Sequence, residues 1–224
     1  MSEVKRYPRP LISLIQADIP NWHVDLYIGE SAGVSDPDLL REFGIKVVLN
    51  CAVNLDINLV SQPEANRPAG VFDYGSGPVR YYKVGLIDGP GNTPEMMFAG
   101  YCMLKSALDQ TIPDKPSYKN RDKGNVLVNC RGGRSRSVTV VAIFLHLEFP
   151  QLYPTLDAAI HHIRQTRELH PDEWFETPKP QMIELAQATV TMVKTLRQSA
   201  LLPSPESSSS GFVDLKSEQA SFTE

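Results

Sequence analysis

The chain has 224 residues, 42% of them hydrophobic and 8% aromatic, enough for one domain with a sizeable core and a tail but cramped for two. A formal net charge of −4 excludes a global attraction to nucleic acid or to an anionic membrane, so any affinity for anions must be local. Three cysteines, Cys51, Cys102 and Cys130, make neither an even disulfide framework nor a CxxC metal pair, which points to a reducing compartment, the cytoplasm with the nucleus as an alternative.

Residues 1–20 read as an N-terminal extension: the first ten carry Lys5, Arg6 and Arg9 among prolines and lack the apolar core of a signal peptide. No run approaches the roughly 18 apolar residues of a membrane helix, so stable membrane insertion is not expected. Within the extension, Leu11 to Ile15 is a short apolar run. Residues 21–200 then read as one domain. Asp25 to Gly29 predicts a strand entering a turn, and Asp36 or Ser35 can cap a helix with Pro37 at its first position, ended by Gly44. Ile45 to Cys51 is a β-branched strand, and the strand–helix–strand order points to a parallel sheet.

Asn54 to Pro78 reads as a long loop, Val79 to Ile87 as a further strand, and Asp88-Gly-Pro-Gly-Asn92 as a segment free to move. Thr93-Pro94-Glu95 opens a helix carrying Met97, Tyr101, Leu104 and Leu108. A polar connection leads from Thr111 to the strand at Val126. The helix that follows, Val138 to Phe149, is apolar nearly all round and rich in poor helix formers, so it survives only if buried. Another helix starts at Thr155, a loop spans His170 to Pro180, and a last amphipathic helix runs from Gln181 to Gln198. Prolines and serines from residue 201 to 224 predict a disordered tail.

The central feature is Asn129-Cys130-Arg131-Gly132-Gly133-Arg134-Ser135-Arg136-Ser137, a tight turn between a buried strand and a helix. Gly132 and Gly133 can take backbone angles closed to other residues, so consecutive N–H groups can curl inward, and the helix N-terminus adds about half a positive charge. Such a cup binds a tetrahedral dianion. Arg136, six positions after Cys130, can grip two of its oxygens in a fork, and a helix N-terminus and an arginine both favour the thiolate. One scheme uses every residue: the Cys130 thiolate attacks phosphorus in line, Arg136 and the loop amides stabilise the oxygens, and Ser137 aids departure of the sulfur. A carboxylic acid must then protonate the leaving oxygen. Asp88 ends a strand and starts a Gly/Pro-rich loop, a better position than that of Asp73, Asp109, Asp114 or Asp122.

The Cys-x5-Arg-Ser stretch resembles the signature loop of the cysteine-dependent protein tyrosine phosphatase superfamily. Leu26-Tyr27-Ile28-Gly29, Phe43 to Asn50, Asp88 and Gln181-Met182 follow in the order of its dual-specificity branch. The resemblance covers roughly Asp25 to Ala188 and implies an α/β fold, a central mostly parallel sheet flanked by helices in a single domain. It also implies a phosphate monoester hydrolase with a phosphocysteine intermediate: Cys130 as nucleophile, Arg136 as phosphate clamp, Ser137 as leaving-group aid, Asp88 as general acid, with Arg131, Gly132, Gly133, Arg134 and Ser135 around the phosphate. The substrate would be a phosphorylated protein, with a phosphoinositide or a purely binding role as alternatives.

Asn129 stands where the family has histidine. It can hydrogen-bond neighbouring backbone but cannot carry charge, so Cys130 is expected to titrate higher than in a histidine-bearing relative. Arg131 and Arg134 resemble loop residues of lipid-directed members; a charge 4 Å from a second phosphate is worth about 4 kcal/mol at an effective dielectric of 20, before desolvation. Alternatively, one or both pair with Asp172, Glu173 or Glu176. Cys51 and Cys102 read as core, His146 as a hydrogen-bonded core histidine, and Trp174 and Phe175 as packing residues. No histidine has the spacing of a metal site, and the scheme needs no cofactor.

Overall fold

The structure, a computed structural model, describes residues 7–61, 70 and 72–204. Five strands form one sheet in the order β1-β2-β5-β3-β4: β1 Ile12–Gln16, β2 Leu26–Gly29, β3 Ile45–Ala52, β4 Arg80–Leu86 and β5 Asn125–Asn129. β1 runs antiparallel to β2; every other pairing is parallel. The mostly parallel sheet expected from the sequence is present. β1 lies inside residues 1–20, which the sequence set apart as an extension; Ile12 and Ile15 are buried, so part of that segment belongs to the sheet.

Alternation along the central strands sends side chains to two cores. Leu26, Ile28, Val47, Leu49, Val126 and Val128 face the larger, with helices α3 Pro94–Asp109, α4 Arg136–Glu148, α5 Leu156–Thr166 and α6 Pro180–Gln198. Tyr27, Val48 and Leu127 face the smaller, under α1 Ser31–Val34 and α2 Pro37–Glu42. Asp36 caps α2, its carboxylate accepting from the N–H of Asp38 and of Leu39, and Thr93 caps α3. A 3-10 turn at Pro171–Glu173 interrupts the loop expected between the last two helices.

Helix α4 is buried at all thirteen positions, which explains how a run of β-branched residues stays helical: packing on every side outweighs poor propensity. His146 is satisfied, one ring nitrogen 2.9 Å from Tyr153 O and the other 3.3 Å from Lys194 Nζ. Because β5 is central and α4 is encased, the turn joining them is fixed at both ends. Residues 205–224, most of the expected tail, lie outside the described residues.

Candidate active site

The turn begins at Cys130, one residue past β5, and ends at Arg136, the first residue of α4. Gly133 sits in the left-handed region at φ 60°, and a Cβ there would meet Gly29 O at 2.7 Å. Only glycine fits. Gly132 differs from the expectation: its φ lies outside the left-handed region, and the nearest atom to an added Cβ is 3.7 Å away, so one glycine makes the turn.

Cys130 is 2% exposed at the floor of the turn, its Sγ 3.3 Å from Ser137 Oγ. Burial pushes its thiol up, but the Ser137 hydroxyl, the Ser137 N–H, the Arg136 guanidinium and the Arg134 N–H outweigh burial and hold it below the ordinary thiol value. Asn129 does not bond to backbone as expected. Both its side-chain polar atoms are buried without a partner, because β5 is paired on both sides, Asn129 opposite Gly29 and Asn50, and the ladders use the neighbouring backbone. Cys51 is fully buried, and burial first, then the charge of Cys130, pushes its thiol well up.

Arg136 is 4% exposed; its Nη1 donates to Asn54 Oδ1 at 2.9 Å and to Leu86 O at 3.2 Å, while Nε is buried without a partner. Asn54, at the start of the long loop, had no sequence signal marking it. Asp88 reaches the same site from the end of β4. Its backbone O accepts from Lys179 Nζ at 2.9 Å, Lys179 Nζ stands 3.7 Å from Oδ2, and Oδ1 has no partner. The segment Asp88–Asn92 is closed on itself by Asn92. The Asn92 amide donates to Ile87 O and Gly89 O and accepts from the Ile87 N–H. Asp73, Asp109 and Asp114 are engaged elsewhere, with Asn58, Trp22 and Arg121 respectively.

Cys130, Arg136 and Asp88 share a cavity of about 580 Å³, with Arg9, Arg131 and Arg134 on its walls. The alternative that a loop arginine pairs with acids holds for Arg134, which lies 2.8 Å from Glu173 and 3.1 Å from Glu176. Arg131 is exposed, with no ion pair among the described residues. Trp174 packs beside His161 as expected; Phe175 is 71% exposed and does not. No cluster that could hold a metal occurs among the described residues, and no helix there is long and apolar enough to cross a membrane.

Sequence reasoning missed the supports. Arg167 is fully buried; its Nε donates to Gly133 O at 3.1 Å and its Nη1 to Ser13 Oγ at 2.9 Å and to Pro10 O. Burial lowers its pKa to about 10. Tyr7 and Arg9 line the cavity from the N-terminal segment.

No protein-family model matches the chain. Dual specificity protein phosphatase 1 of Arabidopsis thaliana is 28% identical over 142 residues, 63% of this chain and 57% of that protein. Human dual specificity protein phosphatase 6 is 30% identical over 123 residues, 54% of this chain and 25% of that protein. The chain thus spans about half or less of the length of these curated relatives. The fold is similar to that of human DUSP28, at 16% identity and a TM-score of 0.52, covering 82% of this chain and 98% of that one. It is similar also to a mouse putative dual specificity phosphatase complexed with zinc tungstate, at 20% identity and a TM-score of 0.52, covering 91% and 99%.

Proposed function

We propose that this chain, which belongs to the dual-specificity branch of the cysteine-dependent protein tyrosine phosphatase superfamily, hydrolyses phosphate monoesters through a phosphocysteine, acting on phosphotyrosine and phosphoserine/threonine in proteins. The observation that carries the reading is the meeting of a buried, thiolate-favoured Cys130, the unpartnered Nε of Arg136 and the unpartnered Oδ1 of Asp88 around one cavity.

The Cys130 thiolate attacks phosphorus as the P–O ester bond breaks and a P–S bond forms. Arg136 donates to the non-bridging oxygens from a position that Asn54 and Leu86 O have already fixed, so little reorganisation is needed as charge develops. Asp88 gives its proton to the leaving oxygen. It then takes a proton from the water that cleaves P–S, releasing phosphate and the thiolate, which the Ser137 hydroxyl stabilises.

Turnover of p-nitrophenyl phosphate and of phosphotyrosine and phosphothreonine peptides by purified protein tests this. Cys130→Ser is expected to abolish turnover. Asp88→Asn should lower it about 100-fold or more on peptides, whose alkoxide or phenoxide needs the proton, and less on p-nitrophenyl phosphate. Substantial turnover by Cys130→Ser would refute the mechanism, and inactive wild type would favour a phosphate-binding module. The exposed Arg131 on the cavity wall favours a phosphoinositide as second reading.

A further inference from the structure

The N-terminal segment is built into the active-site cavity. Tyr7 stacks on His170 with ring centroids 3.6 Å apart and donates its hydroxyl to Asp172. Pro10 O accepts from the buried Arg167, which also holds Gly133 of the catalytic turn. Between these anchors, the Arg9 side chain is 10% exposed; its Nη2 donates to Tyr7 O at 3.2 Å and to Glu173 Oε1 at 3.4 Å. Glu173 Oε1 is also the carboxylate oxygen closest to Arg134, so one acid is shared between two guanidinium groups. Arg9 Nη1 is left buried with no partner at the wall of the cavity that holds Cys130. A buried guanidinium N–H without an acceptor is costly unless an anion completes it. Glu30 and Asp88 are the acids on the same walls; Asp88 is offset by Lys179.

We propose that Arg9 forms a second anion subsite beside the catalytic turn, which takes a carboxylate or phosphate flanking the phosphate being removed, so that the preferred substrates are phosphopeptides with an acidic or second phosphorylated neighbour. The proposal rests on the phosphatase reading and adds the substrate class. Arg131, exposed on the same wall, adds field but no held geometry; Arg9 is held by Tyr7 and Glu173 and presents a fixed donor.

The test compares kcat/KM for three phosphotyrosine peptides identical except for one flanking residue: alanine, glutamate or phosphothreonine. Wild type is expected to favour the two anionic peptides by about ten-fold at low salt, with the ratio shrinking as salt rises. In Arg9→Met the ratio should fall toward one, and in Arg9→Lys it should be partly retained. Because the ratio is taken within each variant, a general loss of activity does not hide it. No preference in wild type overturns the proposal; so does a preference that survives Arg9→Met but is lost in Arg131→Met. Arg9-dependent preference for a soluble inositol bisphosphate over every peptide overturns the peptide assignment. If wild type turns over nothing, the catalytic reading falls separately, and affinities of the same peptides for Cys130→Ser decide the subsite: equal affinities overturn it.

Discussion

Ser137 and Cys130 show how a buried thiol is held below the ordinary thiol value. Removing water alone would favour the neutral form, so the thiolate depends on the donors around it, and the Ser137 hydroxyl is the foremost of these. Ser137→Ala should therefore raise the midpoint of Cys130 alkylation by iodoacetamide and move the acid limb of the activity profile the same way. An unmoved midpoint would assign the shift to Arg136 and the backbone alone. The lowered thiol value also links to stability. The thiolate stabilises the fold at pH above the unfolded thiol's value, and this contribution is lost as pH falls through the folded value. Asn129, with its amide unpaired, supplies no charge to assist.

At the scale of elements, the strand-to-helix turn depends on one glycine. Gly133→Ala places a methyl group against Gly29 O and the Arg167 guanidinium in a left-handed conformation, and should cost about 2–4 kcal/mol of stability in a urea titration. Gly132→Ala meets nothing nearer than 3.7 Å and should leave stability within about 0.5 kcal/mol. If both variants were equally destabilised, the turn would have a different shape. The sequence made this turn legible because its chemistry is local: strand, cysteine, glycines, arginine and buried helix all lie between Asn125 and Glu148. Asp88 could be found from its position at a strand end. Strand β1 could not, since four apolar residues around Ser13 before a polar stretch have no periodicity that distinguishes strand from linker, and its pairing with β2 is a tertiary outcome. Asn54 and Arg167 escaped for a related reason. Each reaches the site through contacts between elements distant in sequence, and their residue types are ordinary surface types.

Across the whole molecule, the site is a place where polar groups are held apart from partners. Arg136 Nε, Asp88 Oδ1 and Arg9 Nη1 are all buried and unpaired around one cavity. A tetrahedral oxyanion that binds only the folded chain should complete the arginine donors and raise stability. At 100 times its dissociation constant, vanadate or tungstate should contribute about 2.7 kcal/mol, a rise of roughly 5–10 °C in Tm for a domain of this size. Scanning calorimetry with and without the oxyanion measures it, and the shift should vanish in Arg136→Ala. A shift that persists there would place the anion elsewhere.

Arg167 sets an order of assembly. Pro10 and Ser13 are made before the turn that holds Gly133, which follows more than a hundred residues later, and the guanidinium that joins them comes later still. A nascent chain ending between residues 137 and 166 holds Cys130, Gly133 and Arg136, yet lacks the guanidinium that ties the first strand to the turn. During synthesis the chemistry is therefore encoded well before it is shaped, and the incomplete chain carries a cysteine without its finished cup.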